Sequence, residues 1–295
     1  GGKCQNFFTT LGESSLARVI YIFKTENAQD IKLDVTKIET DIKIMTRSWI
    51  DSLRYDLIRV FGQEHGAELG KKYKHAFPKA YQASTLTESA ICDIRKIEEL
   101  EANGTITLEL YQTKEEGDDY GLKIYHKDSP IGLSAILPIL ENMGLYIITE
   151  EPHRVVLGEG DDERMIWMHN FLIRSRQEDV IDVKAIKENF EKAFIDIWHG
   201  AKANDGLNAL VIKKGLSVDQ VGILRVYARY LKQAISSLSR GFVQETLCAY
   251  PDMAELFVEY FSTKFEPVFK GSRETKLSDL CQQIEEGFVQ VSTLA

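Results

Sequence analysis

The chain has 295 residues, a formal net charge of −9, 44% hydrophobic and 27% charged residues, which is a globular composition with room for one large domain or two modest ones. The acidic balance argues against a general nucleic-acid or anionic-membrane binder, since either would show a basic face. No apolar run of roughly 18 residues and no basic-then-apolar leader is present, so neither a membrane span nor export is expected.

Gly1, Gly2 and Lys3 stand where an initiator Met would, and residues 1–15 read as a tag remnant and lead-in to an excised piece of something longer. Leu16 to Lys24 is rich in Val, Ile, Tyr and Phe and reads as a strand. From Asp34 the period changes. Val35, Ile38, Ile42, Met45, Trp49, Leu53, Leu57 and Val60 recur every three or four residues, which predicts one long helix ending near Gly62. Shorter helices are predicted over Gly66 to Ala76 and Thr87 to Leu100, parted by Phe77-Pro78.

After Asn103-Gly104 the period drops to two. Strands are predicted over Thr105 to Tyr111 and Tyr120 to His126, with a hairpin turn at Lys114 to Asp119. A helix over Leu133 to Met143 stops at Gly144, and strands over Leu145 to Leu157 and Met165 to Arg174 flank a Gly158-Glu159-Gly160-Asp161 turn. Stripped of the helices near 62–100, the order contains βαββαβ, the split unit of ferredoxin-like domains, so the expected class is α+β. The domain is expected to span residues 16–178.

Beyond Arg174 the pattern becomes helical, and residues 179–295 read as an all-α module. Asp182 caps a helix bearing Val183, Ile186, Phe190, Phe194 and Ile197. Asn204-Asp205-Gly206 predicts a tight turn with Gly206 in a left-handed conformation, and Gly215 closes the helix that follows. Ser217 and Gln220 have the spacing of a capping box, opening a helix striped with Val221, Leu224, Ala228, Leu231, Ile235 and Leu238. Arg225, Arg229 and Lys232 read as a solvated basic face. Further helices are expected from Pro251 and over Leu277 to Val291.

Signatures of chemistry are missing. No glycine-rich nucleotide fingerprint, GxSxG elbow or HExxH pair occurs, and the six histidines (His65, His75, His126, His153, His169 and His199) are scattered. Cys4, Cys92, Cys248 and Cys281 form no CxxC pair, so no metal site is expected and a reduced, cytoplasmic setting is the simplest reading.

Several stretches in one order resemble the large bacterial NAD-dependent glutamate dehydrogenases: TRSWIDSLRYDLI (Thr46 to Ile58), YKHAFPKAYQ (Tyr73 to Gln82), ILPILENMGLYIITEEPHRV (Ile136 to Val155), WMHNFLIR (Trp167 to Arg174) and FEKAFIDIWHGAKANDGLNALVIKKGL (Phe190 to Leu216). VYARYLKQ (Val226 to Gln233) and FSTKFEP (Phe261 to Pro267) continue the series. The resemblance implies a regulatory segment, an ACT-like module followed by a helical one, upstream of a separate catalytic domain that holds NAD and a catalytic lysine. No catalytic, cofactor-binding or metal residue is therefore expected here. It also implies partners among other segments and subunits of the same homo-oligomeric enzyme. ACT modules that bind amino acids commonly carry a glycine after their first strand, and Thr25 to Asp30 has none, which favours scaffolding over an amino-acid effector. Trp198, Asp205, Gly206 and Asn208 are the candidate structural residues of a helical connector. The alternative reading is a self-standing ACT-like amino-acid sensor or protein-interaction module.

Overall fold

The computed structural model describes residues 3–11, 17–24, 34–45, 47–113, 119–158, 160–176, 181–235, 237, 239–289 and 291. Contacts divide the chain into two compact units, Gly1–Ser52 and Leu53–Ala295. The turn expected at 114–119 and the loop Thr25 to Asp30 fall on or largely within residues outside the described set.

In the first unit, β1 (Lys3–Leu11) and β2 (Ala17–Lys24) form a two-stranded antiparallel sheet. β1 lies within the stretch read as a lead-in. Phe7 faces Tyr21 across the pair with ring centroids 6.2 Å apart, and Phe8 faces Ile20. Helix α1 (Val35–Met45) follows, its start capped by Asp34, whose side chain accepts from Lys37 N–H at 3.0 Å.

The single long helix expected from Asp34 is two helices, α1 and α2 (Trp49–Phe61). Ser48 explains the new start. Its hydroxyl accepts from Asp51 N–H at 3.1 Å and donates to the Asp51 carboxylate at 2.7 Å, a cap that the apolar period does not register. Helix α3 (Gln63–Lys72) then passes so close to α2 that a Cβ at Gly66 would stand 2.5 Å from the Leu57 carbonyl oxygen. Gly66→Ala is expected to lower stability by about 1–3 kcal/mol, as overpacking against backbone does; urea titration measures it, and an unchanged midpoint would contradict the close approach.

Helices α4 (Lys79–Ser84) and α5 (Thr87–Asn103) lead into a four-stranded antiparallel sheet of β3 (Ile106–Gln112), β4 (Asp119–Lys127), β5 (Leu145–Leu157) and β6 (Arg164–Ser175). Its order is β3-β4-β6-β5. Helix α6 (Leu133–Asn142) joins β4 to β5, with β6 inserted between them, so the split βαβ unit is present. The α+β class therefore holds, but the strand membership differs from the expected pattern. Ala17–Lys24 pairs with Lys3–Leu11, and β3, beside β4, fills the edge of the four-stranded sheet. Periodicity identifies a strand without identifying its neighbour.

Alternation sorts the side chains. Leu108, Leu110, Leu122, Ile124, Phe171 and Ile173 share one buried cluster with α6 and with α7 (Val183–Trp198). On the opposite face Tyr125 and Lys123 meet α5. The same core continues through α8 (Ala209–Lys214) and α9 (Val218–Ala234) into α11 (Pro251–Phe265), so the two sides of Arg176 to Val180 share it. Helices α10 (Arg240–Ala249) and α12 (Arg273–Phe288) complete the helical part.

The outer edge of β3 is closed by a side chain. Glu191 of α7 accepts from Leu110 N–H at 3.1 Å and pairs with Lys96 of α5 at 3.4 Å, which blunts a free strand edge.

Candidate functional site

The expected connector is built from local signals. Asp182 caps α7 by accepting from Lys184 and Ala185 N–H, and α7 runs to Trp198 before Gly200 turns the chain at φ 71°. Asp205 then accepts from Leu207 N–H at 3.3 Å and starts a 3₁₀ turn over Gly206–Asn208 that runs into α8. Gly215, at φ 64°, is the left-handed cap that ends α8. Ser217 and Gln220 form the reciprocal capping box that opens α9.

One buried cation gathers these pieces. Arg225 of α9 is 6% exposed. It donates to Asp205 from Nε at 2.9 Å and from Nη2 at 3.1 Å, and to Asn208 Oδ1 at 2.7 Å. Asn208, fully buried, donates to Ala203 C=O at 3.1 Å. Arg240 at the start of α10 adds a bond to Asp205 at 2.9 Å. The bidentate fork suits a guanidinium and a carboxylate, and it fastens the 3₁₀ turn, α9 and α10 together.

Of the four candidate residues, Asp205 and Asn208 meet on Arg225. Gly206 contributes its carbonyl, which accepts from the Cys248 thiol at 3.3 Å. Trp198 stands elsewhere, stacked on Phe194 at 6.5 Å and edge-on to His126 at 6.3 Å. Two expectations are corrected. Gly206 is not in the left-handed region, and a Cβ there would meet nothing within 4 Å; the positive φ values lie at Gly200 and Gly215 instead. The 3₁₀ turn explains this, because right-handed helical geometry needs no positive φ. Arg225 does not belong to a solvated face, because it reaches back to Asp205 twenty residues earlier. A signal existed: Val221, Arg225 and Ala228 are spaced on one helical face.

A second polar cluster went unread in the sequence. Asp93 of α5, 1% exposed, accepts from Tyr125 at 2.7 Å, from Lys123 at 2.7 and 2.8 Å, and from the Tyr81 hydroxyl. Burial, and then the Asp93 charge, push the Tyr81 and Tyr125 hydroxyls well above the ordinary phenol range. These phenols stay protonated as donors.

His169 is the most catalytic-looking residue, 2% exposed with Nδ1 at 2.6 Å from Glu150. Ile131 N–H must donate to its Nε2 at 3.3 Å, so the proton sits on Nδ1 and faces the carboxylate. Both nitrogens are engaged, and none remains to move a substrate proton. Among the described residues no group of three or more His, Cys, Asp or Glu side chains could hold a metal ion. No described helix is long and apolar enough to cross a membrane.

Comparison with known families and proteins adds a consistent series. Residues 1–50 match the ACT2 domain model of glutamate dehydrogenase, 56–100 its helical motif 2, 105–186 its ACT3 domain and 202–267 its helical motif 3. The chain is 32% identical over 263 residues to the NAD-specific glutamate dehydrogenase of Halomonas elongata, covering 89% of this chain and 16% of that protein. It is 31% identical over 284 residues to that of Pseudomonas aeruginosa, 96% and 17% respectively. The Mycobacterium tuberculosis protein is 31% identical over 209 residues, 69% and 13%. The chain thus spans about one sixth of the length of the first two relatives.

Proposed function

The chain belongs to the family of large NAD-specific glutamate dehydrogenases, and from that membership we propose that it is a non-catalytic segment serving regulation and assembly of such an enzyme. The parent enzyme oxidatively deaminates L-glutamate to 2-oxoglutarate and ammonia with NAD, in the cytoplasm and as a homo-oligomer. The segment packs against other parts of that enzyme and holds its catalytic domains in register.

The observation that carries this reading is the ordered series of ACT2, helical motif 2, ACT3 and helical motif 3 matches between residues 1 and 267. The site chemistry supports it. Asp205, Arg225 and Asn208 are closed on one another, and Asp93 is closed on Lys123 and two phenols. A dinucleotide fingerprint sits between a parallel strand and its helix, whereas both described sheets are antiparallel, which supports leaving NAD to another part of the enzyme.

The purified chain, incubated with L-glutamate and NAD, is expected to form no NADH above a protein-free blank. Sustained turnover would overturn the proposal.

A further inference from the structure

The helical part carries an apolar surface next to cations that make no ion pair among the described residues. On α9, Val226 and Tyr230 are each 65% exposed, one helical turn apart. Tyr227 beside them meets Phe261 of α11 edge-on at 6.0 Å, and Phe261 leans on Phe265 at 4.7 Å, itself 59% exposed. The apolar surface therefore runs without a break from one helix to the next. Exposed aliphatic and aromatic residues grouped in this way mark an interaction surface.

Its charge is distinctive. Arg229 and Lys232 lie on the same helix, and Lys264 sits over the Tyr260 and Phe265 rings at 5.7 and 5.8 Å. None of the three makes an ion pair among the described residues, although the chain as a whole is at −9. One acid, Glu266, follows Phe265.

We propose that this surface receives an amphipathic helix with acidic margins, supplied by the part of the longer polypeptide outside these 295 residues. The inference rests on the reading that the chain is a segment of a larger enzyme, with relatives about six times its length. Two adjacent helices offer ridges and grooves suited to a third helix. A second copy of the same surface is disfavoured, because a two-fold contact would bring the cations of one copy, Arg229 and Lys264 among them, against those of the other. A segment bearing Asp or Glu beside apolar residues spaced by three and four matches both features.

The test uses the polypeptide at its natural length with a photo-crosslinking phenylalanine analogue at Tyr230. An immunoblot of the native protein first measures its mass; a band near 33.6 kDa would remove the larger-enzyme reading and the inference with it. With a larger band, photolysis and peptide mass spectrometry are expected to join residue 230 to an intramolecular segment outside the 295 residues, with Asp or Glu flanking apolar positions. Arg229→Glu together with Lys264→Glu should then cut the adduct yield about tenfold, the response of steering charges at a rim. No adduct, an adduct to the same surface of another copy, or a yield indifferent to the charge reversal would overturn the docking proposal while leaving the family assignment intact.

Discussion

Replacing Asp205 with Ala is expected to cost about 3–5 kcal/mol of stability, the usual penalty for removing one partner of a buried ion pair. The reason lies with Arg225. Its guanidinium is nearly inaccessible and draws two of its three side-chain bonds from Asp205. Asn208 alone cannot replace a carboxylate, and Arg240 loses its partner in the same step. The double variant Asp205→Ala with Arg225→Met should recover much of the loss, because an apolar side chain of similar reach leaves no stranded charge. Urea titration of both single variants and the double variant supplies the cycle; strictly additive losses would show that the two side chains do not act as a pair.

Asp93→Ala is the second large effect, also about 3–5 kcal/mol. It would leave Lys123 and the Tyr81 and Tyr125 hydroxyls on a buried surface without their common acceptor. Because this carboxylate joins both α4 and α5 to β4, loss of it should loosen α4 and α5 first. Amide exchange would show protection falling over residues 79–103 before it falls in β6. The same tyrosines predict an alkaline limit. Their folded pKa values, and that of Tyr73, are raised, so the unfolded chain releases these protons first as pH rises. Stability from these groups is fully present below about pH 10 and declines above it, by up to about 1.4 kcal/mol per pH unit for each tyrosine. Stability rising between pH 10 and 11 would contradict the placement of these hydroxyls.

Local features of the fold were legible because their causes are local. Ser217 with Gln220, Asp182, and the glycines at 144 and 215 each act on backbone within a few residues, and each stands where its chemistry requires. Long-range pairing was not legible. Ala17–Lys24 is plainly a strand, yet nothing in its composition reveals that Lys3–Leu11 is its neighbour. Helix α10 was missed although Ser239 caps it; its apolar residues, Phe242-Val243 and Leu247-Cys248-Ala249, form two short clusters of which only Val243 is buried. The site divided in the same way. Asp205 and Asn208 stood out beside a glycine in a turn, whereas Arg225 looked like one more surface cation. Asp93 gave no sign at all, since its partners lie 12, 30 and 32 residues away and meet it only when α4, α5 and β4 assemble.

These clusters share one property: polar groups that resemble catalytic sets are closed upon each other. His169 illustrates it, with a carboxylate on one nitrogen and a backbone N–H on the other. Regulation through such a segment would act by altering how its surfaces dock, with chemistry left to the rest of the enzyme.

The claim that this segment supports a glutamate dehydrogenase without taking part in its chemistry is tested most directly by calorimetric titration of NAD into the folded chain, with and without saturating L-glutamate. The account predicts heats of dilution alone in both titrations. A saturable isotherm for NAD would contradict it.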